Sequence, residues 1–142
     1  MGEVARNVIA AVNGARHARG FAPLTEDAVL NRAAREHSVE LAERRILDHR
    51  STNPARHTMT MRIEAAGATW TRAAENLASI TARSADVPAG ITRMWLESDG
   101  HRANMLDAGM VTQAEIDSGR PAAGSAKLTA GLMAGRVATF FP

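Results

Sequence analysis

The side chains of this chain best suited to metal binding or proton transfer are its histidines, His17, His37, His49, His57 and His101. Their surroundings match no common short catalytic signature. There is no His-Glu-x-x-His, no Gly-x-Ser-x-Gly, no phosphate-binding loop and no Gly-x-Gly-x-x-Gly. Ser98-Asp99-Gly100-His101 holds the letters of a serine-hydrolase triad, but neighbours in sequence cannot point at one another as a triad requires. Cysteine is absent, so the redox compartment cannot be read from thiol usage.

The elements that must position these residues follow from hydrophobic spacing. Val4, Val8, Ile9, Val12 and Ala15 recur at helical intervals, which predicts a first helix ending before Gly20. Ala22 precedes Pro23, so that stretch runs extended. Thr25 is the expected N-cap of a second helix, with Glu26 and Asp27 in its first turn. Val29, Leu30, Ala33, Ala34, His37, Leu41 and Ala42 share its apolar face, and Arg32, Arg35, Glu36, Glu43 and Arg44 its solvated face. His37 therefore reads as a core histidine, while His17 and His57 read as exposed. Residues 51–56 read as a loop. Met59, Ile63 and Ala66 mark a short helix that stops at Gly67. Residues 68–72, with Thr69, Trp70 and Thr71, suit a strand. Ser84 or Asp86 would cap a further helix with Val87, Ile91, Met94 and Trp95 on its buried stripe. Leu128, Ala130, Leu132, Val137, Thr139 and Phe141 alternate with other residues as in a terminal hairpin.

Composition narrows the class. The chain has 142 residues, 45% hydrophobic and 23% charged, which fits one soluble domain, residues 1–142, with one core. No run approaches the ~20 apolar residues of a membrane helix. The formal net charge is +2, aromatics are 4%, and the arginines alternate with acids. That is no nucleic-acid-binding stripe. Residues 1–11 lack the basic and apolar regions of an export leader. Helices early and strands late predict an α+β fold with an antiparallel sheet covered by helices.

Three segments, in order, resemble bacterial, cysteine-free members of the CAP superfamily (cysteine-rich secretory protein, antigen 5 and pathogenesis-related 1; the SCP-like domain). The first is Ala33-Ala34-Arg35-Glu36-His37-Ser38, continuing through Leu41 to Leu47-Asp48-His49. The second is Glu75-Asn76-Leu77-Ala78. The third runs from Met94-Trp95-Leu96-Glu97 through Ser98-Asp99-Gly100-His101-Arg102-Ala103-Asn104 to Met105-Leu106. Asn13, Arg16 and residues 20–24 also fit the family's N-terminal pattern. Arg50, where the family usually has Ser or Thr, and Ala74, where it usually has Gly, depart from it, and residues 107–126 do not align cleanly.

The resemblance implies an α-β-α sandwich with an open cleft holding two histidines and two glutamates, here His49, Glu75, Glu97 and His101. His49 and His101 would be the ligands of a divalent metal, zinc first. Each carboxylate would orient a ring. The implied function is a secreted or periplasmic binding module for a metal or a small ligand, lipid included, or for an envelope protein. The alternatives are a hydrolase in which a metal-bound water attacks an ester or peptide bond with Glu75 as base, and an interaction module with a vestigial cleft. Neither ligand nor oligomeric state follows from the sequence.

Overall fold

The computed structural model describes residues 3–68, 73–80, 82–83 and 85–108. Helices form where apolar residues recur at three- and four-residue steps. In α1 (Glu3–His17) the buried stripe is Ala5, Val8, Ile9, Val12 and Arg16. Arg16 can lie on that stripe because carbonyls surround its guanidinium. Its Nε donates to the Ala22 oxygen at 2.7 Å, and Nη1 donates to those of Met105 and Asp107 at 2.7 and 3.2 Å.

In α2 (Ala28–Arg44) the N-cap is Asp27, not Thr25: its Oδ1 accepts the Leu30 N–H at 2.9 Å. The helix ends at Arg45, which takes a left-handed φ of 53° so that its N–H can reach the last carbonyls. A 3₁₀ turn, Pro54–Arg56, lies within the expected loop. In α3 (Met59–Ala65) Thr58 is the cap, and the helix closes at Gly67, whose φ of +93° favours a residue without a Cβ. α4 (Val87–Glu97) begins after Asp86, and α5 (Asp99–Met105) follows with Ser98 between them. No separate helix at α5 is expected from spacing, because a seven-residue helix with glycine in its first turn carries little periodic signal.

The core lies where α1 packs on α4 and α4 on α5. Val8, Val12, Leu41, Leu77, Ile91, Trp95 and Met105 belong to one buried cluster, and Leu30 and Ile63 form a second under α3. Residues 73–80 thread through this core without regular structure. Ala74, Leu77 and Ala78 are buried there. Trp95 Nε1 donates to the Leu77 carbonyl at 3.2 Å. At Gly90, which faces this segment, an added Cβ would stand 2.5 Å from Ile80 Cδ1.

The expected α+β sandwich with an antiparallel sheet is corrected. Among the described residues the regular structure is helical and contains no strand. Residues 73–80 are the buried non-helical run. Among the described residues, side-chain bonds hold it: Trp95 donates to the Leu77 carbonyl, Asn76 to the His101 carbonyl and Asn104 to Asn76. Four of the five residues in the expected strand at 68–72, and the whole expected hairpin, lie outside the described residues. Among the described residues no helix is long and apolar enough to cross a membrane.

Candidate functional site

The site begins at the left-handed stop of α2, which turns the chain into residues 46–50. Two side chains of α2 then hold this loop. His37, buried, donates from Nε2 to the Asp48 carbonyl at 3.0 Å. Burial, and next the nearby Arg62 charge, push His37 below the usual imidazole range. Glu40 accepts the Ser51 hydroxyl at 2.6 Å and the Thr52 N–H at 2.8 Å. Burial works to raise its carboxyl, but the bonds from Ser51, Thr52 and Arg44 outweigh it and hold the carboxyl down at about 2.

His49, anchored between these contacts, meets the core segment. Its Nδ1 lies 2.7 Å from Glu75 Oε1. The other carboxylate oxygen, Oε2, accepts Arg62 Nη2 at 2.6 Å, and Arg62 Nη1 donates to the His49 carbonyl at 3.0 Å. The Glu75 and Arg62 side chains are 3% and 5% exposed, whereas that of His49 is 59% exposed. A buried ion pair thus stands behind a solvent-facing imidazole. The hydrogen bond from Glu75 raises His49 above the usual imidazole range, against the opposing effect of its partial burial. A carboxylate bonded to one ring nitrogen fixes the ring's orientation and aims the other nitrogen outward.

His101 sits in the first half of α5, half-buried. Asn76 Nδ2 donates to its carbonyl at 3.0 Å, and Asn104 Nδ2 donates to Asn76 Oδ1 at 2.9 Å. Burial lowers the affinity of His101 for a proton, and the nearby charge of His49 lowers it further. Adjacent residues of the core segment therefore serve both histidines: Glu75 holds the ring of the first and Asn76 the backbone of the second. Glu97, the last residue of α4, is exposed and makes no hydrogen bond or ion pair among the described residues. Beside His49 a hollow of about 340 Å³ opens, lined by His49, Arg50, Thr58, Met59 and Glu75. Neither His101 nor Glu97 lines it.

Arg62 is the site residue that sequence reasoning missed. Arginines were assigned to solvated faces, yet Met59, Arg62, Ile63 and Ala66 follow the i, i+3, i+4, i+7 spacing of a buried stripe. An arginine on such a stripe needs buried acceptors, and Glu75 and the His49 carbonyl supply them. His17 and His57 are exposed, and His57 Nδ1 donates to the Ser51 carbonyl at 2.8 Å. Trp95, expected in the core, is 2% exposed.

Residues 9–112 match the family pattern described as the cysteine-rich secretory protein family, CAP, a span that includes both histidines and Glu75. The chain belongs to the CAP family. Over 102 residues it is 28% identical to the uncharacterized protein YkwD of Bacillus subtilis (strain 168), covering 72% of this chain and 37% of YkwD. It is also similar to the 1.5 Å crystal structure of an extracellular protein containing a SCP domain from Bacillus anthracis str. Ames. That likeness has a TM-score of 0.64 at 25% identity and covers 75% of this chain and 34% of the other. The chain thus spans little more than a third of the length of either relative.

The donors of this CAP cleft bear on what it could hold. Among the described residues no three His, Cys, Asp or Glu side chains group as a metal site. Glu75 is occupied on both oxygens by His49 and Arg62. What remains for a cation is the outward nitrogen of His49, with His101 in its neighbourhood.

Proposed function

We propose that this chain is the ligand-binding domain of an extracellular protein, and that it holds a small molecule in the hollow beside His49. The observation that carries this reading is the chain of contacts from Arg62 through Glu75 to His49. It places a fixed, oriented imidazole at the mouth of a hollow whose volume lies within the range of small-molecule sites. The extracellular setting is supported by the Bacillus anthracis SCP-domain protein, which is described as extracellular.

A divalent cation is a member of the ligand set to be tested. His49, through its second nitrogen, and His101 would hold it, with Glu75 as the carboxylate behind His49. Bound there, zinc would supply a Lewis acid. Hydrolysis with Glu75 as base has less support than binding. The Glu75 carboxylate is buried and engaged on both oxygens, by the His49 ring and the Arg62 guanidinium, so neither oxygen is free to face a water in the hollow.

Calorimetric titration tests the reading. Wild type and His49→Ala are titrated separately with zinc chloride, acetate, inorganic phosphate and dihexanoylphosphatidylcholine. At least one should give saturable heat with wild type that His49→Ala loses. His49 is largely exposed, so the variant retains its fold. If none of the four gives saturable heat with wild type, the binding-module reading is wrong.

A further inference from the structure

We propose that the ligand of this hollow is an acid, a small molecule ending in a carboxylate or phosphate whose anionic group sits between the Arg50 guanidinium and the His49 ring. The inference rests on the binding reading above and adds the chemical class of the ligand. Three observations carry it.

The first is the charge of the lining. Among its residues Glu75 is the only carboxylate, and Arg62 opposes its charge at 2.6 Å. Asp48, next along the chain, receives the Arg50 backbone N–H at 2.9 Å and stands 3.8 Å from Arg44. Each acid around the hollow thus has a hydrogen-bond donor or cation closer than the Arg50 guanidinium, which forms no ion pair among the described residues although its charge also acts on Asp48.

The second is that Arg50 is exposed, and its guanidinium makes no hydrogen bond or ion pair among the described residues. A guanidinium offers five N–H donors in a planar fork that matches the oxygens of a carboxylate or phosphate.

The third is the excess of donors over acceptors. Both oxygens of Glu75 are taken, and the Thr58 hydroxyl already accepts the Met61 N–H. A ligand rich in acceptors fits such a wall. A cation meets Arg50 and finds no unspent carboxylate.

Heteronuclear NMR of the histidine rings and arginine side chains, at fixed pH, tests the class. Inorganic phosphate and acetate should shift the His49 ring signals saturably, and added sodium chloride should weaken the effect. Arg50→Gln should weaken phosphate binding about tenfold, whereas Arg35→Gln, on the outer face of α2, should leave it unchanged. Dihexanoyl phosphatidic acid is the third probe. Binding at least as tight as phosphate assigns the acidic group to a lipid, and weaker binding assigns it to a free acid. If zinc chloride shifts the His49 ring but phosphate and acetate do not, the acid class is overturned while the binding module stands. Equal phosphate affinity in wild type and Arg50→Gln also overturns it. If no probe, zinc included, shifts the ring, the binding-module reading itself falls.

Discussion

Glu75 has two tasks at once, orienting His49 and neutralising Arg62. The consequences separate on mutation. Glu75→Gln leaves the Arg62 charge buried without its partner, which costs about 3 kcal/mol or more. Urea denaturation reads that loss. Adding Arg62→Met removes the orphaned charge and should recover part of it. In both variants the His49 titration midpoint, followed by its ring protons, should fall from its raised position, because the bond that favours the charged ring is gone. A midpoint unchanged in both would remove Glu75 as the cause. At this scale His49 and Glu75 were legible from short motifs in the chain. Arg62 was not, nor was the burial of Arg16, because arginine is usually solvated, and only the helical stripe on which each falls marks it as buried.

The helices are short, so their ends and close approaches decide much of their stability. Gly90 is a case where space, not backbone angle, fixes the residue. A Cβ there would overlap Ile80 Cδ1, the tip of a side chain. Gly90→Ala gains helix propensity worth roughly 1 kcal/mol and meets that clash, so it should lower Tm unless Ile80 yields. Gly90→Ala with Ile80→Ala removes the tip and should be more stable than the single Ile80→Ala variant. Thermal melts of the three variants check this, and a double variant weaker than Ile80→Ala would mean the crowding lies elsewhere. Four of the five helices were legible in outline, since stripes such as Val8, Ile9, Val12 and Leu30, Ala34, His37, Leu41 are long enough to show their period. The cap of α2 moved from Thr25 to Asp27 because two acids and a threonine stand within one turn and spacing alone does not rank them. The expected sheet is absent among the described residues, and the buried residues 74–78 are held there by side-chain bonds from Trp95 and Asn104 that the local sequence does not reveal.

For the molecule as a whole, three ionisable groups around one loop give stability a specific dependence on pH. His49 is raised above its ordinary 6.5, so its contribution is fully present below 6.5 and is lost as pH rises through its raised folded value. His37 is lowered below 6.5, so its contribution is present above 6.5 and is lost as pH falls through its lowered folded value. Glu40 holds its contribution above its ordinary 4.5 and loses it as pH falls toward about 2. On acidification Tm should rise slightly toward pH 6.5 and then fall in two stages. His37→Gln, whose amide can still donate to the Asp48 carbonyl, should make the first stage shallower, leaving the share that the lowered His101 contributes, and leave the second. A first stage of equal depth in His37→Gln would assign it to another group.

Neighbouring side chains of a single dipeptide, residues 75 and 76, tether the ring of His49 and the backbone of His101. A thermal displacement of that dipeptide is felt at once by the ring on the loop and by the first turns of α5, so the loop and that helix answer to one peptide unit.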